Sequence, residues 1–124
     1  MINVVRRSEQ VDALEAVGAK HVLNSSDDGF DSNLRKLCQD LGATISFDAV
    51  SGELSGRVLR AQPDGSELIV YGAVSLEANQ IDPASLIFEG KRVKGFWLSE
   101  WPATEVCWAS SSWAGTCRAY WPMI

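Results

Sequence analysis

Histidine is nearly absent from this chain of 124 residues, where His21 stands alone. That scarcity removes several kinds of chemistry at once. A Cys–His pair or a Ser–His–Asp triad would have to use His21, which sits at the start of a predicted strand, away from the strand end where ligands bind. A catalytic zinc needs three protein ligands in workable spacing, and no such set is visible. Cysteine is scarce too. Cys38, Cys107 and Cys117 form no C-x-x-C pair, and their odd number and wide spacing fit a reducing compartment, with the cytoplasm as the expected location. No apolar run approaches the roughly 18 residues of a membrane span. The N-terminus lacks the basic region and long apolar stretch of a signal peptide. There is no contiguous basic tract, and a net charge of −5 argues against nonspecific nucleic-acid binding.

What the chain does have is regular alternation. Residues 2–6 are short, β-branched and apolar, as in a buried strand. Ser8 then stands where an N-cap is expected, and Val11, Leu14 and Val17 share a helical face that Gly18 ends. A second strand is predicted over residues 20–24, followed by a turn at 25–29. The next helix carries Phe30, Leu34, Leu37, Cys38 and Leu41 and stops at Gly42. A third strand over 43–50 runs into Ser51-Gly52, and a helix with Leu54, Val58 and Leu59 is broken by Pro63-Asp64-Gly65. Residues 66–73 are a strong strand, 74–90 a longer connection with Pro83, and 92–98 a last strand. Strand and helix in strict alternation predict an α/β fold, a parallel sheet with helices on both faces.

Ligands of an open parallel sheet sit beyond the carboxyl ends of its strands. Four turns fall there: Arg6-Arg7-Ser8, Val50-Ser51-Gly52, Tyr71-Gly72-Ala73 and Phe96-Trp97-Leu98. Small residues in three of them would let a ligand approach the backbone. Arg6 and Arg7 suit a 2′-phosphate, since guanidinium and phosphate pair through forked, charge-assisted bonds. A site selective for the unphosphorylated dinucleotide would place a carboxylate there instead. Solvated surface charge accounts for the same two arginines equally well. Gly18, Gly42 and Gly65 read as helix stops and turns, and Asp48 as a local hydrogen-bond acceptor. No catalytic residue and no metal ligand is assigned.

Two stretches carry a family resemblance. Ile2-Asn3-Val4-Val5-Arg6-Arg7, with Leu14 to Leu23, resembles the zinc-independent branch of the medium-chain dehydrogenase/reductase superfamily. Residues 85–101, above all Gly95-Phe96-Trp97-Leu98, are similar to trans-2-enoyl thioester reductases and related NADPH:quinone oxidoreductases. The resemblance implies an incomplete Rossmann-type domain over residues 1–101, NADPH as the dinucleotide cofactor, and hydride transfer to an activated C=C bond or a quinone in the full-length parent. It places Arg6 and Arg7 at the 2′-phosphate, Gly52 at a turn where the family has two glycines and this chain keeps one, Tyr71, Gly72 and Ala73 near the nicotinamide half, and Phe96, Trp97 and Leu98 along the carboxamide. It also implies that the family's first strand, its glycine-rich turn and its catalytic domain would precede Met1. The chain alone is then expected to be inactive, poorly stable or self-associating through unpaired strand edges.

Beyond Trp101 the composition changes. Residues 102–124 hold three of the five tryptophans, two of the three cysteines and only Glu105 and Arg118 as formal charges. No 3.6 or 2.0 period persists there, and the segment is read as a frame-shifted or divergent tail. A competing reading of the whole chain is a non-catalytic α/β module that binds another protein through an open sheet edge and the aromatic tail.

Overall fold

The computed structural model describes residues 1–98; the predicted boundary at Trp101 and the 102–124 tail lie outside the described residues. In chain order the elements are β1 (Asn3–Val5), α1 (Ser8–Ala16), β2 (Val22–Asn24), α2 (Phe30–Asp40), β3 (Ile45–Asp48), α3 (Glu53–Ala61), β4 (Glu67–Val70), α4 (Pro83–Ile87) and β5 (Arg92–Gly95). The predicted alternation is present, with each strand shorter than its apolar run. The short helix α4, in what was predicted as a plain connection, is an addition. Its start is encoded locally: the Asp82 carboxylate accepts the Ala84 amide at 3.0 Å, and Pro83 occupies the first turn, where its missing N–H costs nothing.

All pairings are parallel, but they form two sheets. β1 pairs with β2 in the register Asn3↔Val22 to Val5↔Asn24. The other sheet has the order β3-β4-β5, with Ile45↔Glu67 and Glu67↔Arg92 opening the two registers. No hydrogen-bonded ladder joins β1 to β3.

The two sheets are held together by helices. α2 packs on α3, and its buried Phe30, Leu34 and Cys38 form one cluster with Ala61 of α3. Ile2, Val4 and Leu23 of the small sheet and Leu54 and Val58 of α3 pack against that cluster. Burying a side chain such as Phe30 or Leu34 is worth about 1.5–3 kcal/mol, so this shared core is the main tie between the halves. Leu68 of β4 and Leu59 of α3 are fully buried in the larger half. The β3 hydroxyl of Ser46 donates to Gln62 Oε1 at 3.0 Å, just beyond α3, which places α3 on the face of β3 bearing Ser46 and Asp48. Ile45 and Phe47 point to the opposite face. Right-handed crossovers place α1 on that opposite side as well.

Two details correct the sequence reading. Arg7, not Ser8, is the N-cap of α1; the Gln10 side chain reaches back and accepts the amides of Arg6 at 3.2 Å and Arg7 at 3.1 Å. Val17 is exposed rather than part of a buried face, and no residue of α1 is buried.

Candidate functional site

Because the strands within each sheet run parallel, the turns after β3, β4 and β5 open together at the carboxyl end of the larger sheet, and the turn after β1 opens at the carboxyl end of the smaller one. After β1 the chain carries Arg6 and Arg7 into α1. Both side chains are exposed, and among the described residues neither guanidinium makes an ion pair. Their main chain is held in place: Gln10 accepts both amides, and the Ser26 hydroxyl donates to the Arg6 carbonyl at 3.1 Å. The turn after β2 is thereby tied beside the two arginines. Gln10 and Ser26 were not singled out from the sequence. Glutamine three residues past an N-cap was the available signal for the first, and no local signal marks the second.

After β3 the chain turns sharply. Asp48 Oδ1 accepts the Val50 amide at 2.7 Å and the Ser51 amide at 3.0 Å, while its Oδ2 accepts the Ser55 hydroxyl. Ser55, fully buried on the first turn of α3, also lies 2.8 Å from the side-chain amide of Asn79. The Asp48 carboxylate therefore shapes the turn rather than facing a ligand. Ser51 adopts φ +70° and Gly52 φ +75°.

The turn after β4 is brought against this one. The Ser51 hydroxyl donates to the Gly72 carbonyl at 2.9 Å, the Tyr71 amide to Asp48 O at 2.9 Å, and the Val74 amide to Ala49 O at 3.1 Å. Phe96 continues the row, its amide donating to Val70 O at 2.8 Å. The structure thus gathers Gly52, Tyr71, Gly72, Ala73 and Phe96 into one ridge, with Trp97 and Leu98 following directly. Tyr71, Ala73, Phe96, Trp97 and Leu98 are exposed. No hydrogen bond or ion pair among the described residues links Arg6 or Arg7 to that ridge; the open space between β1 and β3 separates them.

The glycines have internal reasons as well as the expected one. A Cβ at Gly72 would lie 2.8 Å from the Ala49 carbonyl oxygen, and one at Gly52 would lie 2.9 Å from a Glu77 carboxylate oxygen. At Gly72 the neighbour is backbone, so glycine is needed for the close approach of the two turns; at Gly52 the neighbour is a mobile carboxylate, and the positive φ is what calls for glycine. The connection after Tyr71 folds back over α3, with the Gln80 amide donating to Gly52 O at 3.1 Å. It crosses at Gly56, where any Cβ would meet Gln80 O.

Titration is perturbed away from this ridge. Burial pushes the Cys38 thiol up, with the charge of Lys91 acting weakly the other way. Hydrogen bonds from Lys91 and Ser85 hold Glu89 below the usual carboxylate range. Among the described residues, no group of three His, Cys, Asp or Glu side chains is placed to hold a metal ion, and no helix is long and apolar enough to cross a membrane.

Three comparisons put this geometry beside known proteins. A family model described as zinc-binding dehydrogenase matches residues 1–112. The mitochondrial enoyl-[acyl-carrier-protein] reductase of Homo sapiens is 28% identical over 105 residues, which cover 81% of this chain and 28% of that protein. Among solved structures, one described as an NADPH:quinone reductase from Mesorhizobium loti is 39% identical with a TM-score of 0.77, over 85% of this chain and 31% of that one. A mitochondrial 2-enoyl thioester reductase heterodimer from Candida tropicalis shares the fold with a TM-score of 0.73 at 23% identity, over 85% and 31% of the two chains, and a structure of one of its subunits in complex with NADP and crotonyl-CoA gives the same values. The chain spans less than a third of the length of each of these three proteins.

Proposed function

This chain belongs to the zinc-binding dehydrogenase family, within the medium-chain dehydrogenase/reductase superfamily, and we propose that it is the NADPH-holding portion of a reductase acting on an enoyl thioester or a quinone. One observation carries the reading. Two exposed guanidiniums without ion-pair partners among the described residues stand at the carboxyl end of a parallel strand, on the side where such sheets receive ligands. In that role Arg6 and Arg7 pair with the 2′-phosphate of the adenosine half. Gln10 and Ser26 hold the main chain from which the two side chains project. The exposed edge of Tyr71, Gly72 and Ala73, with Phe96, Trp97 and Leu98, borders the nicotinamide half. Gly72 acts by letting the two turns approach closely, and Gly52 by supplying the positive φ at the start of α3.

NADPH, when bound, supplies a hydride to the activated C=C bond or the quinone. This chain's residues orient the cofactor, and none of them is assigned a proton-transfer role. The donor set of the described residues does not fit a zinc ion despite the family's description. Among the described residues no catalytic group is assigned, and the role proposed for them is to bind and orient the cofactor. The proposed location is a reducing compartment, the cytoplasm by default; relatives named as mitochondrial enzymes are equally compatible with reduced cysteines.

The test is equilibrium binding of NADPH and NADH to the chain and to Arg6→Ala and Arg7→Ala, followed by the change in nicotinamide fluorescence. Charge-assisted bonds of about 1.5–3 kcal/mol translate into a ~10- to 100-fold loss of NADPH affinity in the variants, with NADH binding unchanged. Equal affinities for the two cofactors in the unaltered chain would reject the assignment of the arginines.

A further inference from the structure

Arg57 stands on α3, yet its contacts reach α2 and the turn after β2. Its Nε donates to Asp31 Oδ1 at 2.8 Å, its guanidinium lies 4.6 Å from the centre of the Phe30 ring, and its Nη1 donates to the Ser25 carbonyl at 3.3 Å. Phe30 and Asp31 open α2, and Ser25 directly follows β2. A tie between α2 and α3 needs only the first two contacts. The third carries the guanidinium on to the turn beside Arg6 and Arg7, and a planar fork of donors can serve all three at once.

The Ser25 carbonyl and the Ser26 amide are the two ends of one planar peptide unit. Arg57 holds the carbonyl, and the Asn24 side chain accepts the amide at 3.0 Å. With both ends held, the plane is fixed, and Ser26 leaves it in a set direction. The Ser26 hydroxyl then donates to the Arg6 carbonyl at 3.1 Å. That carbonyl and the Arg7 amide are again the two ends of one peptide unit, and Gln10 Oε1 accepts the amide at 3.1 Å. Two peptide planes are thus held in series, and the second one joins the two arginines.

We propose that Arg57 is a positioning residue for selection of the 2′-phosphate, acting through these two peptide units on the direction in which the Arg6 and Arg7 side chains project. The inference rests on the reading of Arg6 and Arg7 as the phosphate ligands. Forked pairing of guanidinium with phosphate demands alignment as well as charge. A rotation of the plane between the two arginines would turn both forks away together. The charge of Arg57 is already answered by the Asp31 carboxylate, so its contribution is geometric.

The experiment uses the whole 124-residue chain and two readouts. In the first, without cofactor, amide exchange is followed at Ser26 and Arg7 in the unaltered chain and in Arg57→Met, which keeps an apolar stem over Phe30. Both amides are expected to exchange several-fold faster in the variant, while those of β4 do not change. In the second, NADPH and NADH are titrated. Arg57→Met is expected to lose roughly three- to ten-fold in NADPH affinity, the equivalent of about one hydrogen bond, with NADH binding unchanged. Ser26→Ala, at an exposed hydroxyl, gives a similar loss. The double variant loses no more than the larger single, because both cut one path. Asp31→Ala separates position from charge. Loss of the anchor weakens NADPH binding, whereas loss of a carboxylate would tighten it if Arg57 met the phosphate directly.

Unchanged exchange at Ser26 and Arg7, equal losses for the two cofactors, additive losses in the double variant, or tighter NADPH binding by Asp31→Ala would each overturn the proposal. Should Arg57→Met fail to fold, Asp31→Ala decides by the sign of its effect. Faster exchange in Arg57→Met, together with no preference for NADPH in the unaltered chain, would reject the phosphate reading of Arg6 and Arg7. The selection role would fall with it, and the tie from Arg57 to the turn would stand.

Discussion

Ser51 and Gly52 show how one turn balances strain against contacts. Left-handed backbone costs a non-glycine residue about 1–2 kcal/mol, and Ser51 adopts it at φ +70°. Its hydroxyl returns part of that cost through the 2.9 Å bond to the Gly72 carbonyl, a contact worth about 0.5–1.5 kcal/mol. Ser51→Gly removes both terms and is expected to change stability by less than ~1 kcal/mol. Gly52→Ala has no such offset. Its φ of +75° with ψ −143° is nearly reserved for glycine, and the added methyl would sit 2.9 Å from the Glu77 carboxylate. The expected loss is on the order of 1–3 kcal/mol. Urea unfolding of the two variants side by side checks the pair; equal losses would show that backbone conformation is not what this turn depends on.

At the scale of elements, the join between α4 and β5 is electrostatic. The Lys91 side chain is 2% exposed, and its ammonium lies 2.8 Å from Glu89 Oε2 and 3.5 Å from the Arg60 carbonyl at the end of α3. A buried cation needs its counter-charge. Glu89 is held below the ordinary carboxylate range by the hydrogen bonds from Lys91 and then Ser85. The folded state therefore binds the Glu89 proton less readily than the unfolded chain, and the stability from this pair is present above the ordinary carboxylate range. It is lost as pH falls through the depressed value. Glu89→Gln should lower the melting temperature at neutral pH and flatten its decline in acid. A variant with the same acid profile as the parent would place that decline in other carboxylates.

For the whole molecule, what matters is that two sheets share one core. Phe30 is the largest side chain of that core, with the Arg57 guanidinium 4.6 Å from its ring centre and Arg57 also paired to Asp31 at 2.8 Å. Phe30→Ala is expected to cost about 3–5 kcal/mol, a large share of the 5–15 kcal/mol typical of a domain. The loss should fall on both halves together. Amide exchange would show β2 and β4 losing protection in parallel, whereas a loss confined to β2 would mean that the larger sheet stands without the shared core.

Much of this architecture was legible in residue patterns. The alternation of apolar runs with amphipathic stretches, Gly18 and Gly42 at helix ends, and the turn at Ser51-Gly52 are local signals, set by backbone sterics and period, so the α/β class and the carboxyl ends of the strands could be read directly. Arg6 and Arg7 were legible for the same reason, as a basic pair at a strand end. Helix α4 was missed although Asp82-Pro83 announces it, because five residues are too few for a helical period. Three things were decided only in three dimensions. Gly52 and Gly72 meet parts of the chain more than 20 residues away, which no local rule encodes. Gln10 and Ser26 set the backbone of the arginine turn from opposite sides. The division of the described strands into two sheets, β1-β2 and β3-β4-β5, was likewise decided in three dimensions, because hydrogen-bonding partners in a sheet are chosen across space and not by neighbouring residues.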